Sequence, residues 1–370
     1  MTTEPQFETV DMMLNMGPQH PATHGVFRMV LKVDGEKVID VIPHIGYLHR
    51  GTERLAEVET YGQVITLFDR VDYIANLNNE LAFVRAGEQI MEVEAPERAQ
   101  YIRVILAELN RVASHLLFIG TYAIDLGAMT PVMYGFRERE RIQNLFEHVT
   151  GARMMHNYMR IGGVKADVPD DFVPWVRQLI GEVRKGVEEC DKLLSTNEVF
   201  LGRTRGVGVI DGPTAISCGL SGPSLRGSGV PYDVRKDDPY EIYPYLNYKV
   251  PVGENGDCWD RYYLRMLECY ESLSMIEQCL DQFPEGPIMA AGRRIARPPA
   301  GEVFSHSENP RGDLGVYLVS DGTDKPYRVK IRPPSFCNLV GLATMTRGSY
   351  IADAVAILGS LDIVLGEVDR

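Results

Sequence analysis

Four of the chain's eight histidines crowd one N-terminal stretch: His20 and His24 in NMGPQHPATHG, and His44 and His49 in PHIGYLHRG. Imidazoles four residues apart on a helix would share a face and suit zinc. Here Pro21 separates the first two, and Gly17 and Pro18 precede them. Proline interrupts a helix interior, so the segment reads as a rigid loop rather than a helical metal pair. Its histidines then either hydrogen-bond loop carbonyls or move protons. A second candidate is FDRVDYIANLNNE, which sets Arg70, Asp72 and Tyr73 side by side in apolar surroundings. A tyrosine hydroxyl can donate a hydrogen bond or a proton to a carbonyl-type acceptor. A surface Asp–Arg pair beside a half-buried tyrosine is the plainer alternative. The third candidate, Asp125 in IDLGAMTPVMYGF, follows an apolar helix end. A buried carboxylate needs a partner or its pKa rises, and a histidine could be that partner. An exposed helix-end aspartate is the other reading.

Several chemistries are excluded. Neither RGVGVI (205–210) nor GLSGPSLRGSG (219–229) gives a dinucleotide fingerprint or a phosphate loop, and there is no nucleophile elbow or zinc-protease helix. The glycines around Arg226 either let backbone approach a partner or ligand, or form a plain turn. A net charge of −13 argues against nucleic acid as a partner. Six cysteines, at positions 190, 218, 258, 269, 279 and 337, include no Cys-x-x-Cys pair. They read as small core residues, so neither a metal nor an iron–sulfur cluster is expected on this chain. No apolar run reaches the ~18–20 residues of a spanning helix. The polar, acidic start MTTEPQFETVD reads as neither signal nor transit peptide, so the protein is expected to be made and kept in the cytoplasm, which leaves docking onto a membrane complex open.

The elements that must carry these residues are mostly helical. VFRMVLKV and KVIDVI around Asp34-Gly35 predict a hairpin over 26–42. A helical pattern follows Pro43. The clearest helix starts at Pro96 and buries Ile102, Ile105, Leu109, Val112 and Leu116. Further helices are expected over about Phe136–Val149, Asp170–Leu194, Trp259–Leu280 and Tyr350–Leu358, and a second hairpin over 314–332. Residues 201–257, rich in Gly and Pro, read as a long non-helical stretch of the kind kept for a function or an interface. The expected fold class is α+β, mainly α, in one unit over 1–370. It comprises an N-terminal hairpin, a helical core over about 50–285, and a C-terminal hairpin and helix over about 312–370.

NMGPQHPATHGV, PHIGYLHRGTER, FDRVDY, RVASHLLFIG, MRIGGVKADVP, RGVGVI, LRGSGVPYDVRK, PRGDLGVYLVSDG and KIRPPSFCNL occur in collinear order along most of the chain. Together they resemble the D-subunit family of the proton-pumping NADH:quinone oxidoreductases, respiratory complex I. The resemblance implies the fold of the nickel–iron hydrogenase large subunit, with small sheets near both ends. It implies quinone as substrate, NADH used by the whole complex, and no cofactor bound by this chain. The terminal iron–sulfur cluster would belong to the neighbouring B subunit, which shares the quinone cavity. Partners would be the B and C subunits of complex I, and also its H, I and A subunits. The place would be peripheral, on the cytoplasmic side of the cell inner (plasma) membrane.

Carried over by position, the family's quinone-contacting histidine falls on His24 and its quinone-contacting tyrosine on Tyr73. The aspartate paired with that histidine falls on Asp125, and Arg50 lies in the segment facing the cluster. The hydrogenase metal motifs correspond to DRVDY (69–73) and LDIVLGEVDR (361–370), which hold no cysteine. Hydrogenase activity is rejected on that ground. Relatives often carry a histidine just before the position of His156, where this chain has Met155. The segment 285–304 is shorter than in most relatives. A different electron donor, or a structural scaffold role, is the alternative function.

Overall fold

The computed structural model describes residues 11–19, 25–291 and 297–370. Strands β1 (Met12–Met16), β2 (Arg28–Asp34) and β3 (Lys37–His44) form an antiparallel sheet in that order. The hairpin predicted over 26–42 is present, with Gly35 at φ +59° in its turn. The added strand β1 leads directly into the histidine loop. Met29, Leu31 and Val33 alternate inward on β2, as a half-buried strand requires. They pack with Leu358, Leu361 and Val368 from the other end of the chain, so the two termini share one core.

Helices α1 (Thr52–Ala56), α2 (Tyr61–Phe68), α3 (Asn76–Met91), α4 (Glu97–Asp125) and α5 (Thr130–Thr150) follow. Pro96 caps α4 as its sequence position suggested, but the helix runs on to Asp125 because its apolar positions continue through Phe118, Ile119 and Tyr122. A short ribbon, β4 (Met159–Arg160) with β5 (Gly163–Val164), precedes α6 (Phe172–Leu194).

The stretch 201–257 corrects the sequence reading. It is not an irregular excursion but a run of short helices: α7 (Glu198–Thr204), α8 (Gly212–Ser217), α9 (Gly222–Arg226) and α10 (Val234–Asp237). Asn197, Asp211 and Asp233 cap three of them. Helical periodicity needs more residues than these elements contain, which is why pattern reading passed over them. Arg226 is fully buried and bonds Glu268 at 2.6 Å, Glu308 at 2.9 Å and the Tyr232 carbonyl at 2.9 Å. Its glycine-rich surroundings therefore serve the chain's own core.

The long helix α11 (Cys258–Asp281) starts on the side chain of Asp257, which accepts the Asp260 N–H at 2.9 Å. Helix α4 packs on α3, α5 and α11 and is buried on nearly every face.

The C-terminal part holds an antiparallel sheet, β6 (Gly301–Asn309), β7 (Gly312–Ser320) and β8 (Pro326–Arg332). The predicted hairpin over 314–332 is its β7–β8 pair. Four short helices close the chain: α12 (Pro334–Val340), α13 (Leu342–Thr346), α14 (Ile351–Ser360) and α15 (Leu365–Asp369). Strand β6 covers α3, so α3 is buried between that sheet and α4. The result is a mainly α, α+β fold with small sheets near both ends.

One contact explains two of the glycines. Gly222 at φ +62° meets Gly312 backbone to backbone; a Cβ on Gly222 would lie 2.4 Å from the Gly312 Cα and 2.7 Å from the Arg311 carbonyl. Gly222→Ala should therefore lower stability by about 1–3 kcal/mol through overpacking against backbone that cannot yield. Thermal unfolding of the purified chain measures this; an unchanged midpoint would show that the backbone gives way freely.

Candidate functional site

Tyr73 sits in the turn between α2 and α3, and that turn is held at almost every peptide group. Asp72 Oδ1 accepts the N–H groups of Ile74 at 3.0 Å and Ala75 at 3.3 Å. The Asn79 side chain donates to the carbonyls of Phe68 and Asp72, both at 3.1 Å, and Asn76 donates to that of Asp69 at 2.8 Å. Asn110, reaching from α4, donates to the Ile74 carbonyl at 3.1 Å. A buried turn must find such partners for its backbone, and here asparagines supply them.

The remaining oxygen of Asp72 takes Arg311 Nη1 at 3.0 Å. Arg311, fully buried just after β6, also reaches Ser114 Oγ at 2.5 Å, Asp362 Oδ1 at 3.1 Å and the Asp362 carbonyl at 3.2 Å. One guanidinium thus joins the Tyr73 turn, α4 and the C-terminal segment. Its planar fork of donors is what allows this; lysine could not replace it.

The tyrosine ring lies against Gly366 near the start of α15. A Cβ there would stand 3.2 Å from two ring carbons and 2.9 Å from the Val71 carbonyl. Tyr73 is half-buried. Burial, then the negative charge of Asp72, pushes its phenol above the usual tyrosine range, against the pull of Arg311. The hydroxyl is therefore held protonated, as a donor.

Asp125 ends α4 and is half-buried against α14. A Cβ on Gly359 would fall 3.2 Å from Asp125 Oδ2 and 2.8 Å from the Tyr122 ring. The same stretch of chain, 359–362, thus touches Asp125 at one end and carries Asp362, the Arg311 partner, at the other. Asp125 and the Tyr73 turn are linked through it.

Arg50 is exposed in the loop after β3. Partial desolvation, then the like charge of Arg70, lowers its pKa, so two arginines stand near each other on this surface. The C-terminus fixes that loop. Asp369 accepts the N–H groups of Gly46 at 2.8 Å and Leu48 at 2.7 Å, and its carbonyl bonds His49 Nδ1 at 2.6 Å. His49 is thus a loop-holding residue. His20 and His24 lie outside the described residues. The described end of their loop, Gly25, has φ +110°, and its Cβ direction points to Leu365 Cδ1 at 4.0 Å, one residue from Gly366. Gly25 therefore lies beside the start of the helix whose Gly366 supports Tyr73.

Sequence reasoning missed Arg311, Asp362 and Glu367 as members of this site. The signal was present: each is a charged residue set in an apolar or glycine-rich run, PRGDLGV or LDIVLGEVD. Four of the cysteines are buried as expected, while Cys218 and Cys337 are only partly so. Among the described residues no cluster of His, Cys, Asp and Glu could hold a metal ion.

Glu367 gives a pH prediction. It has no solvent exposure, and burial together with the charge of Asp72 pushes its carboxyl up to about 8, against a hydrogen bond from the Ser335 N–H at 3.1 Å and the pull of Arg311. A carboxyl raised in the folded state holds a proton that unfolding releases. Its contribution to stability is full below the unfolded pKa and is lost as pH rises through the folded one. Glu367→Gln should remove that loss, so the melting temperature of the variant gains on wild type between about pH 5 and about pH 8. A constant difference across that range would show that Glu367 is ionised in the fold.

The Respiratory-chain NADH dehydrogenase, 49 Kd subunit, family model matches residues 125–370. Relatives named as the D subunit of NADH-quinone oxidoreductase align along nearly the whole chain. That of Desulforamulus reducens is 51% identical over 98% of this chain and 99% of its own. That of Clostridium beijerinckii is 49% identical over the full length of both. One from Rhizobium meliloti, carrying the same D-subunit name with the number 2, is 49% identical over 98% of this chain and 96% of its own. With the collinear motifs and the structured Tyr73 turn, these matches place the chain in the family of the 49 kDa subunit of the respiratory-chain NADH dehydrogenase.

Proposed function

We propose that the chain is the quinone-site subunit of a proton-translocating NADH:quinone oxidoreductase, inactive alone, and that Tyr73 meets the quinone headgroup. The observation that carries this is a protonated, half-buried phenol on a turn whose backbone is fixed by Asp72, Asn76, Asn79 and Asn110. The alignment of D-subunit relatives along nearly the whole chain supports it. The chain forms one hydrogenase-large-subunit-like unit over 1–370, with the neighbouring B subunit closing the cavity and holding the iron–sulfur cluster. Arg50, beside Arg70, faces that cluster. Contacts with the C, H, I and A subunits complete the assembly. Attachment to the inner face of the cell membrane is through the complex, which fits the lack of any described helix long and apolar enough to span it.

The reaction adds two electrons and two protons to the quinone. As electrons arrive from the cluster, negative charge grows on the two carbonyl oxygens. Tyr73 donates to one and His24 to the other, and donors fixed in advance stabilise that charge without reorganising. His24, when protonated, pairs with Asp125 and can pass its proton to the reduced carbonyl oxygen it bonds, while Tyr73 passes the second proton to the other oxygen and both side chains are reprotonated from water. Loss of that charge leaves the Asp125 carboxylate with a weaker partner in a poorly solvated site, which favours movement of the histidine loop. That movement is the route by which reduction reaches the proton-translocating parts.

Tyr73→Phe keeps the ring on Gly366 and removes only the donor. Quinone reduction should fall by roughly 10-fold or more. Electron transfer from NADH to a hydrophilic acceptor upstream of the quinone should be unchanged. Equal rates for quinone in variant and wild type would remove the headgroup assignment. Asp125→Asn should lower quinone reduction and alter its pH profile; a profile identical to wild type at every pH would end its proposed role.

A further inference from the structure

Two acids bracket the Tyr73 turn: Asp69 at the end of α2 and Glu80 in the first part of α3. Neither has any solvent exposure. Each spends one oxygen on the segment that enters β4. Asp69 Oδ2 accepts the Asn157 N–H at 3.1 Å, while Glu80 Oε2 accepts those of Tyr158 at 2.8 Å and Met159 at 2.7 Å. The other oxygens, Asp69 Oδ1 and Glu80 Oε1, receive no donor among the described residues. The two carboxyl groups instead face each other.

Two ionised carboxylates in contact in a dry interior repel, whereas a single proton between them turns the contact into a charge-assisted hydrogen bond. The charged groups facing the pair are Arg70, from the same turn, and Arg160, from β4; they act on Asp69 at a distance. Arg70 Nη1 bonds the Thr66 carbonyl, and Arg160 Nη1 bonds Asn157 Oδ1 and the Met159 carbonyl. Neither supplies the missing donor. Burial pushes both carboxyls up, and mutual contact adds to this at Glu80.

The pair also has something to hold. Met155 adopts a left-handed φ of +57°, a strained conformation for its side chain that persists where surrounding bonds enforce it, and Asn157 follows at +45°. The bonds from Asn157, Tyr158 and Met159 to the two acids enforce it here.

We propose that Asp69 and Glu80 share one proton and act as a positioning pair, clamping the 155–159 segment onto the turn that carries Tyr73. This rests on the reading of Tyr73 as the quinone contact. At alkaline pH the shared proton leaves, the carboxylates repel, and the turn loosens.

The test uses the assembled complex in membranes, with Asp69→Asn, Glu80→Gln and the double variant. Each single amide presents an N–H to the remaining carboxylate and keeps an oxygen for the backbone donors. Both singles should therefore assemble and reduce quinone within about twofold of wild type at neutral pH. The double sets two amide NH2 groups face to face, so its loss of thermal stability should exceed the sum of the singles and its loss of quinone reduction should exceed their product by about 10-fold. Glu80→Gln should also carry its quinone reduction about one pH unit further into the alkaline range than wild type. Failure of Glu80→Gln to assemble, additive behaviour of the double, or an unshifted alkaline limb would each overturn the shared proton. Non-additive stability with undisturbed quinone reduction would overturn the positioning role. The Tyr73→Phe result judges the headgroup reading separately.

Discussion

The site depends on one buried cation. Arg311 holds Asp72 of the Tyr73 turn, Ser114 of α4 and Asp362 of the C-terminal segment at once. Breaking a buried pair by removing one partner leaves an uncompensated charge and costs about 3–5 kcal/mol, far more than the pair itself contributes. Such an arrangement is poor evidence for stability. It is good evidence for placement, because three distant parts of the chain can satisfy the guanidinium only in one arrangement.

The same logic runs through the interior. Glu108 accepts from Arg111, Arg235, Tyr243 and Ser272, and His115 bonds Glu268, which bonds Arg226. The helical core therefore carries a connected polar interior as well as an apolar one. A network of this kind rigidifies what it touches. Rigidity suits the role proposed for Tyr73, in which its hydroxyl stays within hydrogen-bond reach of a quinone headgroup. The loop of Arg50 is placed differently: Asp369, from the far end of the chain, fixes it through Gly46, Leu48 and His49.

Long elements were legible in the sequence because repetition reveals them. Helices α4, α6 and α11 each run for more than twenty residues with recurring apolar positions, and β2 and β3 flank a Gly turn. The 201–257 stretch was illegible because its helices are too short to show a period, and its burial rests on Arg226 and Arg235, which pattern reading assigns to the surface. Tyr73 and Asp125 stood out as polar residues at the edges of apolar runs. Arg311 showed only as a charge in a glycine-rich run and Glu80 not even as that, because an arginine or glutamate in sequence carries no mark of the partners that folding brings from hundreds of residues away or from an adjacent turn.

The proposed function stands on the Arg311-anchored turn delivering the Tyr73 hydroxyl to the quinone. A structure of the assembled complex with a quinone analogue bound decides this. Tyr73 Oη should lie within about 3 Å of one headgroup carbonyl oxygen, with the Asp72–Arg311–Asp362 bridge intact. A headgroup bound elsewhere, with Tyr73 Oη covered by protein, would show that the turn serves another purpose.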